Sequence, residues 1–195
     1  MKLTKKLTLA SKSQIRAQVL RGAGLDFEIA PSGVDEDVLK QAHKGDAAAL
    51  AVALAEAKAQ AVAAEGLVLG ADQILVCDDV LYDKPKNMDE ARRNLTRFRG
   101  RTHYLVGGAA LLEGGTTIWT HQQSVALTMR DFSDSFLDAY LSAAGEAVLA
   151  SVGAYQLEGL GAHLFEAIDG DYFSILGMPL LPLLEALRQH GGLAA

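Results

Sequence analysis

A chain of 195 residues has room for one well-buried domain or two small lobes, and with half its residues hydrophobic and 22% charged it is not a largely disordered protein. Its formal charge of −6 and pI near 5.3 exclude a broad basic face for coating duplex DNA, so any bound phosphate must be held by a local cationic cluster or a metal. The single cysteine, Cys77, excludes a disulfide within the chain and any multi-cysteine zinc site, which suits a reducing compartment.

The opening MKLTKKLTLASKSQ carries lysines, but the apolar run after Lys6 is only Leu-Thr-Leu-Ala, too short for a secretory h-region. No uninterrupted apolar stretch approaches a spanning helix, and a soluble cytoplasmic protein with no membrane partner is expected. Residues 5–11 read as a short strand. Ser13 is placed to cap a helix with Ile15, Val19 and Leu20 on one side, ended by Gly22 and Gly24. A turn at Pro31-Ser32-Gly33 leads to the acidic triplet Asp35-Glu36-Asp37. Residues 47–64 are nearly all helix formers, and steps of four and three residues draw an inward face through Leu50, Leu54, Ala57 and Ala61. The apolar run 67–77, interrupted by Gly70, fits a strand buried on both faces better than a helix. After a turn at Tyr82-Asp83-Lys84-Pro85, residues 88–98 form a charged amphipathic helix closed by Gly100. Two strands, 103–113 and 116–129, meet at Glu113-Gly114-Gly115, a hairpin signal. Helices over 133–144 and 182–189 follow, separated by a glycine-rich stretch. The mixture implies one α/β unit.

Asp72 is the first residue to need a chemical explanation. On a strand over 67–77 it shares a face with Val68, Gly70, Ile74 and Val76, where an ionised carboxylate must be neutralised by a cation, a metal or a proton. Gly70 beside it leaves room for a ligand to approach; alternatively the strand ends near Gly70 and Asp72 bonds a turn. Lys58 falls roughly 60° from the centre of the Leu50/Leu54/Ala57/Ala61 stripe, where a lysine either snorkels to solvent or reaches into a cleft. Lys84 precedes Pro85 on a stiff, extended turn, so Lys58, Asp72 and Lys84 could converge. Ser11, Ser13, the first amides of the following helix and Arg16 together suit a phosphate, or else make an ordinary capped helix with an exposed arginine. The Asp35-Glu36-Asp37 triplet is either a solvated acidic turn or a source of metal ligands. His103 reads as a structural histidine or a substrate contact, and Cys77 has no evident activator. Neither a Gly-x-Ser-x-Gly elbow nor a His-Glu-x-x-His helix is present, which disfavours serine hydrolases and zincins.

Taken in order, these segments resemble the Maf family of nucleoside triphosphate pyrophosphatases from Leu9 to about Leu187. LASKSQIR resembles the family's opening motif, Val34-Asp35-Glu36 its Val-Asp-Glu, and Ala57-Lys58-Ala59 its lysine helix. Gly70-Ala71-Asp72 with Lys84-Pro85, then Gly100-Arg101-Thr102-His103, Gly153-Ala154-Tyr155, Glu158-Gly159, Gly170-Asp171-Tyr172 and Gly177-Met178-Pro179-Leu180 continue the series. The resemblance implies a twisted mixed α/β sheet with flanking helices in two lobes around a deep groove, the whole of 1–195 acting as one functional unit, often as a homodimer. It implies hydrolysis of a nucleoside triphosphate between its α- and β-phosphates with a divalent cation, Mg²⁺, Mn²⁺ or Co²⁺, and no nucleic-acid partner. Asp72 would accept a proton from the attacking water. Glu36 and Asp72 would hold the metal, and Ser11, Ser13, Arg16, Lys58 and Lys84 the triphosphate.

Gln73 and Glu158 match the family's 7-methyl-GTP subgroup, where its dTTP/UTP subgroup has threonine and glutamine; Ser151 leans the same way. A carboxylate at 158 can accept the paired N–H donors of guanine, an edge no pyrimidine presents. Departures from the family pattern are Gln14 for proline, Ala17 for a second arginine, and Ile15 where the 7-methyl-GTP subgroup has tryptophan, so position 15 offers the base only apolar contact. Two alternatives compete: a dTTP/UTP pyrophosphatase, disfavoured by Gln73 and Glu158, and a non-catalytic nucleotide-binding regulator of cell division, disfavoured by Asp72, Glu36, Lys58 and Lys84.

Overall fold

The first two strands are short, and each leads into a helix capped by a polar side chain. This computed structural model describes residues 3–190 and Leu193. Strand β1 (Leu7–Leu9) runs parallel to β2 (Glu28–Ile29) on one side and to β3 (Leu67–Cys77) on the other. Helix α1 (Gln14–Gly22) is capped by Ser13 as its sequence predicts, the hydroxyl accepting from the Arg16 amide at 3.5 Å. Two further helices carry the same device: Asp35 caps α2 (Glu36–Ala42) and Asp46 caps α3 (Ala47–Gln60). The remaining strands are β4 (Val80–Tyr82), β5 (Thr102–Glu113), β6 (Thr116–Met129) and β7 (Phe165–Asp169). Strand order is β2-β1-β3-β5-β6-β7, with β4 on β3; β3–β4 and β6–β7 pair antiparallel, so the sheet is mixed. Helices α4 (Met88–Phe98), α5 (Asp134–Ala144), α6 (Tyr172–Ile175) and α7 (Leu180–Gln189) complete the α/β architecture.

The chain divides into two compact units. The first comprises the described residues up to Gln73, Val106–Gln123, and those from Asp171 onward. Its main core joins Leu7 and Leu9 of β1, Leu20 of α1, Leu67 and Leu69 of β3, Leu111 of β5 and Leu183 and Leu187 of α7. A second layer is built from small side chains: Ala55 and Ala59 of α3 against Val68, Ala110 and Leu112. Here the structure corrects the sequence reading. The inward face of α3 is Leu50, Ala51, Leu54, Ala55, Lys58 and Ala59, whereas Ala57 is half-buried and Ala61 exposed. Alanine on every side of the helix gives no periodic contrast by which the true face could be read.

Gly70 also differs from its expected role. A Cβ there would overlap the carbonyl oxygen of Ala55, and one at Gly108 would overlap the backbone of Ala51, so these glycines make room for the backbone of α3 and not for a ligand. Helix α3 consequently lies hard against β3 and β5, with Lys58 on its inward face.

The second unit, Ile74–Leu105 and Ser124–Gly170, begins with a hairpin. Asp78 and Asp79 both adopt positive φ (50° and 61°) in the two-residue link from β3 to β4, the geometry that matches strand twist. Helix α4 is capped by Asn87 and tied to α5 by the Arg92–Asp138 ion pair. Phe98, His103 and Tyr155, all buried, cluster with the half-buried Phe165, with Phe98 and His103 stacked at a centroid distance of 5.2 Å. Two elements of the first unit, β2 and α2, and three later ones, β4, β7 and α6, have no counterpart in the sequence reading. They are short, and β2, α2 and β7 bury no side chain fully, so no hydrophobic period marks them.

Candidate active site

Asp72 is 6% exposed and Lys58 8%. The close approach of α3 to β3, allowed by Gly70, brings the Lys58 ammonium to 2.5 Å from Asp72 Oδ1. On its other side Nζ lies 2.7 Å from Glu36 Oε1, in the first turn of α2. One buried cation thus neutralises a buried carboxylate and a half-buried one. Neither alternative from the sequence survives: Asp72 is within the strand, not in a turn, and Lys58 does not snorkel. The acidic triplet separates by function. Asp35 spends its carboxylate on capping, Asp37 is exposed, and Glu36 alone faces Lys58, with Lys40 a further 3.9 Å ion-pair partner.

Arg16 lies in the same unit, where its guanidinium is fastened to backbone. Nε donates to the Gly177 carbonyl at 2.9 Å, and Nη1 to the Ala71 carbonyl at 2.7 Å and the Ser11 hydroxyl at 3.3 Å. Ser11 Oγ also accepts from the Ser13 amide at 3.2 Å. Burial pulls the Arg16 pKa down, while the Asp72 and then the Glu36 carboxylates push it back up. With Lys58, Arg16 gives the site two cationic side chains among two carboxylates.

The structure therefore gathers Ser11, Ser13, Arg16, Glu36, Lys58, Asp72 and Gln73 in the first unit, with Ile15, half-buried, next to Arg16 on α1. Lys84 and Glu158 belong to the second unit, Lys84 between β4 and α4, Glu158 in the turn closed by the Gly159 amide on the Gln156 carbonyl. His103 is a structural residue: fully buried, its Nε2 hydrogen-bonded to the Tyr155 hydroxyl at 2.8 Å, and its pKa pulled down to about 4 by burial. Burial, and then the nearby Asp78 carboxylate, push the Cys77 thiol above its ordinary pKa, which disfavours the thiolate. Gly177 and the Ala71 carbonyl are site groups that the sequence reading missed; only the GMPL and GAD motifs marked their neighbourhood.

Among the described residues no cluster of three or more His, Cys, Asp or Glu side chains exists that would make an all-protein metal cage. The donors present do fit a hard divalent cation shared with a phosphate ligand. Two carboxylates, Glu36 and Asp72, already converge on one positive charge, and Mg²⁺ characteristically takes one or two carboxylates together with substrate phosphates.

Fold and site define an α/β protein with a charged, anion-suited cluster around a buried carboxylate. Comparison with known proteins names the family: the Maf-like protein model matches residues 6–190, and the chain belongs to the Maf family. A protein of Granulibacter bethesdensis named nucleoside triphosphate pyrophosphatase is 48% identical, covering 96% of this chain and 98% of its own. One of the same name from Maricaulis maris is 51% identical over 94% and 95% of the two chains. A Brucella suis protein named 7-methyl-GTP pyrophosphatase is 44% identical over 96% and 98%.

Proposed function

We infer that this chain is a nucleoside triphosphate pyrophosphatase, and we propose 7-methyl-GTP as its substrate, cleaved between the α- and β-phosphates to 7-methyl-GMP and pyrophosphate. The observation that carries the reading is the buried Asp72–Lys58–Glu36 arrangement beside Arg16. Buried charges held together against their desolvation cost suit a site built for a highly charged ligand.

In this mechanism water attacks phosphorus and gives its proton to Asp72, and pyrophosphate leaves. Arg16, Lys58, Ser11 and Ser13 hold the triphosphate and offset charge on its non-bridging oxygens, which is most of what phosphoryl chemistry asks of a protein. Glu36 and Asp72 would hold the divalent cation, Mg²⁺, Mn²⁺ or Co²⁺, which supplies Lewis-acid neutralisation of phosphate oxygens. The resemblance adds Lys84 to the triphosphate contacts and Glu158 to the base contacts. Gln73 and Glu158 have the residue types of the 7-methyl-GTP subgroup, the name the Brucella suis relative carries. We also propose that the protein works in the cytoplasm as a homodimer; among the described residues no helix is long and apolar enough to cross a membrane.

Pyrophosphate release from 7-methyl-GTP, GTP, dTTP, UTP and CTP, with Mg²⁺ or Mn²⁺ and an Asp72→Asn control, tests the reading. Preferred, Asp72-dependent release from 7-methyl-GTP is expected. Preference for dTTP or UTP would overturn the substrate and keep the chemistry. Absence of Asp72-dependent release from every triphosphate would overturn both.

A further inference from the structure

Gln73 follows Asp72 on β3, and its amide points at backbone. Nε2 donates to the Ser174 carbonyl at 2.9 Å and to the Ile175 carbonyl at 3.3 Å, so the donor end of the side chain is engaged at the C-terminal end of α6. The same short helix is closed by Asp171, whose Oδ2 accepts from the Ser174 amide at 2.7 Å and hydroxyl at 2.8 Å. Beyond its C-cap, Leu176, stands Gly177, at φ +79°, whose carbonyl accepts the Arg16 Nε–H. The backbone angle favours glycine there, and an added Cβ would lie 3.2 Å from Arg16 Nε and 3.3 Å from Nη2, close enough that the guanidinium would have to shift.

These bonds make a continuous connection. Gln73 ties the Asp171–Gly177 turn to β3, and the turn presents the Gly177 carbonyl to Arg16. A second backbone support of Arg16, the Ala71 carbonyl, is on β3 two residues before Gln73. Because a guanidinium is planar, fixing Nε on Gly177 and Nη1 on Ala71 fixes its plane and the direction of every remaining N–H.

We propose that Gln73 is a positioning residue: through the Asp171–Gly177 turn it sets the plane of the Arg16 guanidinium, and so governs how tightly the polyphosphate of any nucleotide is held, independently of the base. This rests on the reading of Arg16 as a phosphate-binding residue. It departs from the direct selection of the base that the residue type at position 73 suggests.

The test measures calorimetric affinity for inorganic tripolyphosphate, which has no base, and steady-state kinetics with 7-methyl-GTP and UTP. The variants are Gln73→Met, which keeps length and removes the donor, Gly177→Ala, Arg16→Lys, and Gln73→Met with Arg16→Lys. Gln73→Met is expected to weaken tripolyphosphate about tenfold, the scale of a lost hydrogen bond to a charged group's support. It should raise KM for both nucleotides by one factor and leave their kcat/KM ratio unchanged. Gly177→Ala should act in the same direction from the far end of the turn. The double variant should lose no more than Arg16→Lys alone, because residues acting through one another are not additive. Wild-type tripolyphosphate affinity in Gln73→Met with an altered nucleotide ratio overturns the proposal in favour of base contact. Additive losses in the double variant overturn it too. If Arg16→Lys itself leaves tripolyphosphate binding unchanged, the phosphate-binding reading of Arg16 fails, and this proposal with it.

Discussion

The Lys58 ammonium lies 2.5 Å from the Asp72 carboxylate, with both side chains buried between α3 and β3. This pair explains why a carboxylate is tolerated on an apolar strand, and it couples the stability of the first unit to its chemistry. A buried ion pair adds little net stability over an apolar pair of the same volume, but losing one partner strands the other.

Asp72→Asn should therefore abolish pyrophosphate release while nucleotide binding persists, and Lys58→Met should destabilise the fold by about 3 kcal/mol by leaving Asp72 and Glu36 without their shared cation. Combining the two should restore part of that loss. Urea denaturation of the single and double variants measures this directly, and strictly additive losses would show that the pair is not coupled.

Gly70→Ala places a methyl group where the Ala55 carbonyl oxygen lies, so α3 must retreat from β3. The expected cost is about 1–3 kcal/mol, the usual scale of overpacking. Activity should fall more than stability does, because α3 carries Lys58 away from Asp72. Thermal melts compared with turnover at a temperature where the variant is fully folded separate these effects.

His103 should make the protein sensitive to mild acid. Its folded pKa is lowered from 6.5 to about 4 by burial, so below pH 6.5 the unfolded chain binds a proton that the folded one excludes. Stability is fully present above about pH 6.5 and lost as pH falls toward 4, by as much as about 3 kcal/mol. The urea midpoint should drop across this window, and His103→Gln should flatten the dependence. An unchanged slope in that variant would assign the acid sensitivity to other groups.

Glu158→Gln should lower kcat/KM for 7-methyl-GTP relative to UTP by about tenfold or more, since an amide cannot accept both donors of the guanine edge. Measured kcat/KM for the two nucleotides decides this; an unchanged ratio would remove Glu158 from base selection.

Glu36→Gln is expected to raise the Mg²⁺ concentration needed for half-maximal release while leaving the fold intact, because Glu36 is half-buried and Asp72 keeps Lys58. Calorimetric titration of Mg²⁺ into the protein with a bound non-hydrolysable triphosphate checks the same point without turnover.

Local pattern alone determined a good part of this protein. The run 67–77 is a strand, 88–98 and 133–144 bring their caps with them, and 116–129 follows its hairpin signal, because periodicity and capping act between near neighbours. Asp72 was legible as a buried carboxylate requiring a counter-charge by the same period-two rule. Lys58 was one of two lysines the sequence placed as able to converge on it, but local pattern did not decide whether Lys58 turned into the cleft or out to solvent. Which face of the alanine-rich α3 turns inward depends on the glycines at 70 and 108 that let its backbone approach, and these are distant from it in sequence. Besides the Ser11 hydroxyl, the supports of Arg16 are backbone carbonyls 55 and 161 residues away. A carbonyl has the same chemistry in every residue, so no side-chain pattern announces it; only the packing of helix, strand and turn in the first unit decides which one meets the guanidinium.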